Sequence, residues 1–256
     1  ALVFDPGMGE TYFYKAYVLY GRDTTGLDRS LFDQAISQGF SDPWAYYFRA
    51  ITRIRDGMDQ EAMEDLNTAI ELKEDFALAY HEIAGIKRRM GDFQGSHKDY
   101  QRALGFQSDF ALAYNNMGSV KILMGDYEGA IENYSRALEL DPGLYIALNN
   151  RGYARYFTED AEGALLDFNA AITNSDQFVN AQLNKASLIA GQGQLEPALS
   201  ILDGLLEEHS TEALLYLNRG LVRELLGDPE GACADWIRAK ELGSEEAAEY
   251  IKECAR

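Results

Sequence analysis

Apolar and polar positions along this chain recur with a period of 34 residues, seven times from Gly9 to Glu246, without insertion or deletion. Numbering the positions of each repeat from 1 to 34, position 8 is always small: Ala16, Ala50, Ala84, Gly118, Gly152, Ala186 and Gly220. Position 24 is always large and apolar: Phe32, Leu66, Tyr100, Tyr134, Phe168, Leu202 and Trp236. Position 27 is Ala in every repeat but the sixth, which has Leu205. A fixed period of this length, alternating small and bulky points, predicts a stack of helical hairpins. The small residue lets two helices approach, and the bulky one fills the space beside it. Local signals divide each repeat in two. In the fourth, Ala111 to Met124 predicts one helix and Tyr127 to Leu140 a second, with Gly125-Asp126 as the turn. Glycine at position 15 (Gly57, Gly91, Gly125, Gly193, Gly227) suits the left-handed end of the first helix. Asp92, Asp126 and Asp228 after it can cap the second helix. Pro142 cannot continue a helix and marks its end.

The stretches Ala113 to Gly118, Gly125 to Ala130 and Ala137 to Pro142 resemble a tetratricopeptide repeat, and the likeness extends over nearly the whole chain. It is weakest where Asp23 to Gly26 replaces the glycine turn and where Leu205 replaces Ala. The resemblance implies an all-α fold, a right-handed superhelical solenoid of antiparallel helix pairs. Its units are 9–42, 43–76, 77–110, 111–144, 145–178, 179–212 and 213–246. Residues 1–8 match the tail of a preceding repeat, and 247–256 read as a capping helix with a polar outer face. On this expectation Leu2 and Phe4 pack near Tyr12 and Ala16, and the chain begins inside a longer array.

Composition narrows the function. The formal net charge of −19 opposes nucleic acid, whose phosphates demand a basic surface, and favours a cationic or neutral partner. No apolar run approaches the roughly 20 residues of a membrane span, so a soluble protein is expected, with the choice between cytoplasm and periplasm left open. Cys233 and Cys254 are too few for a disulfide framework, and Cys233, close to the alanine position of its helix, reads as a core thiol. No phosphate loop, nucleophile motif or metal-ligand spacing occurs, so neither catalysis, a cofactor nor a metal is expected.

Some charges read as structural. Position 11 is Leu19, Arg53, Lys87, Lys121, Arg155, Ile189 and Arg223; position 23 is Leu31, Asp65, Asp99, Asn133, Asp167, Ile201 and Asp235. The two switch together between charged or polar and aliphatic. Half of either pair would leave a mismatch, so they should meet within one hairpin.

In the family, the concave side is lined by positions 2, 5, 6, 9, 12 and 13 of each first helix. Transferred to this chain, that places Asn116, Asn150, Asn184 and Asn218 in a row at position 6. Mid-helix Asn is about 0.5–0.7 kcal/mol worse than Ala, while its amide offers donors and an acceptor to a peptide backbone. The row reads either as a ladder holding an extended peptide or as a set of bonds between hairpins. Asn115, Asn149 and Asn180 add amides, and Tyr153, Tyr156 and Phe157 form an aromatic wall. Phe13, Tyr17, Tyr20, Trp44 and Tyr47 cluster near the start. Arg55, Arg88 and Arg89, with His81, make a basic stretch suited to a carboxylate. The lysines by which some relatives clamp a C-terminal carboxylate are absent from positions 2 and 5. The resulting expectation is a non-catalytic scaffold that binds a protein or an extended peptide. The alternative is a docking or sensing segment cut from a larger enzyme or secretion and assembly machine.

Overall fold

The computed structural model describes residues 9–20, 29–175, 178–252 and 254. All regular structure in them is helical, and the chain forms two compact units, Ala1–Asp126 and Tyr127–Arg256. The first contains α1 (Gly9–Tyr20), α2 (Arg29–Ser37), α3 (Pro43–Arg55), α4 (Asp59–Leu72), α5 (Ala77–Arg89), α6 (Phe93–Phe106) and α7 (Ala111–Leu123). Here α1 pairs with α2, α3 with α4 and α5 with α6, each hairpin stacks on the next, and α7 packs on α6. The second contains α8 (Tyr127–Leu140), α9 (Tyr145–Phe157), α10 (Ala161–Asn174), α11 (Val179–Gly191), α12 (Leu195–Glu208), α13 (Ala213–Leu225), α14 (Pro229–Glu241) and α15 (Ala247–Ile251). There α8 packs on α9, three hairpins follow, and α15 closes on α14. The expectations for residues 1–8 and for the turn at 23–26 lie outside the described residues.

The small and bulky positions meet within the hairpins α9–α10 and α13–α14. A Cβ on Gly152 would lie 2.7 Å from Phe168 Cε1, and one on Gly220 would lie 2.4 Å from Trp236 Nε1. The rings rest on backbone that only glycine leaves open. The position-15 glycines have φ of +75° to +82°, as the turn requires. Repeat five has no glycine there, and Glu159 takes the same conformation at φ +64°, at a cost of about 1 kcal/mol. Asp92 and Asp228 cap their helices by accepting from Gly95 N and Gly231 N, both at 2.9 Å. Asp160 does the same for Gly163, and Asp126 receives Lys121 Nζ at 2.7 Å.

The co-varying charges meet as expected: Arg53–Asp65 at 2.7 Å, Arg155–Asp167 at 2.8 Å and Arg223–Asp235 at 2.9 Å. Ile189 and Ile201 instead share an apolar cluster. The sequence pattern did not reveal a second arginine at position 7. Arg49, Arg151 and Arg219 each grip the same aspartate with two nitrogens, at 2.6–2.9 Å. Each also reaches back to the preceding hairpin, to Asp33 at 3.1 Å, Ser135 at 3.1 Å and Asp203 at 2.8 Å respectively. Forked guanidinium geometry allows this triple engagement, which lysine lacks. The charge pairs are therefore bonds between hairpins as well as within them.

The reading of Cys233 as a core thiol is corrected. Cys233 on α14 and Cys254 beyond α15 form a disulfide, their Cα atoms 5.7 Å apart. The fold of α15 against α14 brings together residues that lie 21 apart in sequence, and Tyr250 stacks on Trp236 beside them at 5.1 Å. Among the described residues, no helix is long and apolar enough to cross a membrane.

Two substitutions test this packing. Gly152→Ala should lower stability by roughly 1 kcal/mol despite alanine's better helix propensity, because crowding Phe168 outweighs the gain. Asp167→Ala should cost about 3 kcal/mol by leaving Arg151 and Arg155 without their shared carboxylate. Urea unfolding followed by circular dichroism measures both.

Candidate functional site

In the second unit, α9, α11 and α13 present their groove positions side by side. Tyr153, Tyr156 and Phe157 are 40%, 52% and 46% exposed, high values for aromatic rings inside a folded array. Phe157 organises them: Tyr127 stacks on it at 4.9 Å with planes 6° apart, Tyr153 tilts against it at 4.8 Å, and Tyr156 meets it edge-on at 5.4 Å. Burial, and then Tyr127, push the Tyr153 hydroxyl pKa up. Between α9 and α11 these rings border a cavity of about 150 Å³ with Asn184 and Ser187, over Phe168 and Leu188. A second hollow of about 200 Å³ follows between α11 and α13, bordered by Ser187, Gly191, Asn218, Leu221 and Leu225. Ser187 belongs to both.

The asparagines are engaged more than the sequence suggested. Asn184 Nδ2 donates to Asn149 Oδ1 on α9 at 2.9 Å. Asn149 in turn donates to Asn150 at 3.4 Å. Asn218 donates to Leu214 O on its own helix at 2.8 Å and accepts from Ser187 at 3.2 Å. In the first unit, Asn116 Nδ2 meets His81 Nε2 at 3.0 Å and accepts from Asn115. The two bonds at a separation of 35 residues share one register, position 6 of one repeat to position 5 of the one before. The ladder of amides free of internal partners therefore fails at all four positions, Asn150 included, and Asn116, Asn184 and Asn218 have the partners just named. Each still keeps unused capacity, since an amide offers two donors and two lone pairs. Asn184, held by Asn149 at the cavity rim, presents that capacity in a fixed orientation.

The basic residues do not act together. Arg89 pairs with Asp59 on the preceding hairpin at 2.6 Å, and Arg55 Nε lies 3.6 Å from Asp56. Arg88 has no ion-pair partner among the described residues, and its Nε is buried without an acceptor. It lies near Tyr100, whose hydroxyl is pushed up to about 12 by burial against the opposing influence of Arg88. At the N-terminal end, Phe13, Tyr14, Tyr17 and Trp44 border a further hollow of about 170 Å³.

Tyr153, Tyr156, Phe157 and the amides stand out in the sequence as groove residues, whereas Ser187, Leu188 and Phe168 do not. Ser187 occupies groove position 9, where its small size gives no signal, and Phe168, at the bulky core position, reads only as core although it also borders the cavity.

The family model of the tetratricopeptide repeat matches residues 111–144. Solved structures match over far more of the chain. A tetratricopeptide repeat protein from Parabacteroides merdae shares 18% identity over 97% of this chain and 99% of its own, with a TM-score of 0.73. The chain has the fold of a tetratricopeptide-repeat array, and residues 111–144 match the repeat in sequence. PilW, a type IV pilus biogenesis factor, is 19% identical over 82% of this chain and 98% of its own, with a TM-score of 0.74. YrrB, a tetratricopeptide repeat protein with an unusual peptide-binding site, is 21% identical over 73% and 97%, with a TM-score of 0.56. No curated protein matches the array in sequence. At these identities the likeness establishes the fold.

The bond between α9 and α11 is testable. Asn149→Ala removes a side chain that is only 7% exposed and unpairs two amides, so it should lower stability by about 1–2 kcal/mol. Asn218→Ala should change it by no more than about 0.5 kcal/mol, since that amide donates to its own helix and its bond from Ser187 is exposed to solvent. Thermal unfolding of the two variants gives the comparison.

Proposed function

We propose that the array is a non-catalytic interaction scaffold, and that the α9–α11–α13 face of its second unit binds an extended protein segment. A side chain of that segment enters the aromatic cavity, while Asn184 and Ser187 hold its backbone. The observation that carries this reading is the exposed ring set around Phe157 beside an amide already oriented by Asn149. Exposed aromatics next to a cavity are the usual anchors of interfaces, and an amide fixed before binding loses little freedom on binding. The peptide-binding site of YrrB lends support, as a solved array of the same fold that binds peptide. Asn116, Asn150 and Asn218 contribute less, since their amides serve hairpin packing first. The likeness to PilW favours, as a second reading, service within a larger assembly machine. That reading changes the partner and leaves the binding face the same.

Selection from a displayed library of random peptides tests the proposal. Enriched peptides should bind the whole chain in solution, and Tyr156→Ala should weaken them about tenfold without shifting the melting temperature. Enriched peptides that bind the variant as well as the parent would overturn the assignment of this face.

A further inference from the structure

The second hollow adds a requirement that the aromatic cavity alone does not impose. Both hollows border Ser187, one on each side of α11, so they are successive stations along one face. Helices packed side by side lie roughly 8–10 Å apart, which sets the order of the distance between stations. A β-strand rises about 3.4 Å per residue and turns alternate side chains to opposite faces. Its same-face positions therefore fall at about 7 Å or 14 Å, too near or too far. A polyproline-II segment rises about 3.1 Å per residue with three residues per turn, so residues i and i+3 share a face about 9 Å apart. Such a segment makes no internal hydrogen bonds, and its backbone groups can take the remaining capacity of Asn184 and Ser187 between the stations.

Charge completes the description. Arg151 and Arg155 on α9, and Arg219 and Arg223 on α13, are committed to Asp167 and Asp235. Glu224 is exposed between Leu221 and Leu225, with no ion-pair partner among the described residues. Acidic residues outnumber basic ones by more than two to one over residues 127–256. A cationic segment is attracted to this face and an acidic one is repelled.

We propose that the partner of this face is a polyproline-II segment with large apolar side chains three residues apart, one in each hollow, flanked by lysine or arginine. The inference rests on the groove reading above and deepens it.

Gly191 supplies a probe for the second hollow. It is the last residue of α11 and borders that hollow, and a Cβ built on it meets nothing within 4 Å. Gly191→Leu should therefore fill the hollow without crowding the fold. The experiment measures binding of the whole chain to three fluorescent, proline-containing peptides with lysine flanks, in which two leucines are separated by one, two or three residues. The two-residue separation should bind roughly tenfold tighter than the others, the worth of one buried apolar side chain. Gly191→Leu should erase that advantage while keeping the melting temperature, and glutamate flanks should weaken binding at least severalfold. Equal binding of all three peptides, or no effect of Gly191→Leu, overturns the spacing proposal. If Tyr156→Ala still weakens those equal peptides, the groove reading stands without it. Absence of binding by every peptide, or binding indifferent to Tyr156→Ala, overturns both.

Discussion

Close approach of a bulky position-24 side chain to the small residue at position 8 sets the geometry of the hairpins, most tightly where that residue is glycine. Phe168 lies on Gly152 and Trp236 on Gly220 with no room for a Cβ between them. That approach fixes how the two helices of a hairpin sit together, and so where the first helix presents its outward positions. In repeat five it has a second effect. The ring that closes the hairpin also floors the aromatic cavity, so packing and recognition share one side chain. The left-handed backbone at Glu159, where other repeats have glycine, lies just beyond the same wall.

Electrostatics adds direction to this packing. Each of Asp65, Asp167 and Asp235 is nearly fully buried and takes two arginines, one of which reaches the preceding hairpin. A buried carboxylate alone would be costly, and a forked guanidinium on either side makes it tolerable. These arginines, which look like anion-binding groups in the bare sequence, are consumed by the architecture. The face that remains is apolar and amide-bearing, with Glu224 exposed on α13, a combination suited to cationic segments with hydrophobic anchors.

The asparagines combine two roles that seemed exclusive. Asn184 bonds the neighbouring hairpin through one amide hydrogen and still borders the cavity with the rest of its head group. An inter-hairpin bond is the means by which a flexible side chain becomes a fixed one. Asn218 differs because the position-5 residue before it is Leu183, which accepts no hydrogen bond, so its amide nitrogen donates to its own helix while its oxygen accepts from Ser187.

The period, the helix boundaries to within a residue in repeat four, the glycine turns and the pairing of positions 11 and 23 can all be read from the residues alone. All of these follow from local rules repeated at a fixed interval, so each repeat checks the others. The aromatic wall was legible too, because three rings at groove positions stand out against the pattern. The second arginine on each aspartate, the bond from Asn184 to Asn149, the hollow at Gly191 and the Cys233–Cys254 bridge emerge from the folded packing. Each of these depends on which atom of a long or branched side chain reaches across to another helix. Repeat periodicity fixes the position of a side chain on its helix but not the partner its polar end selects.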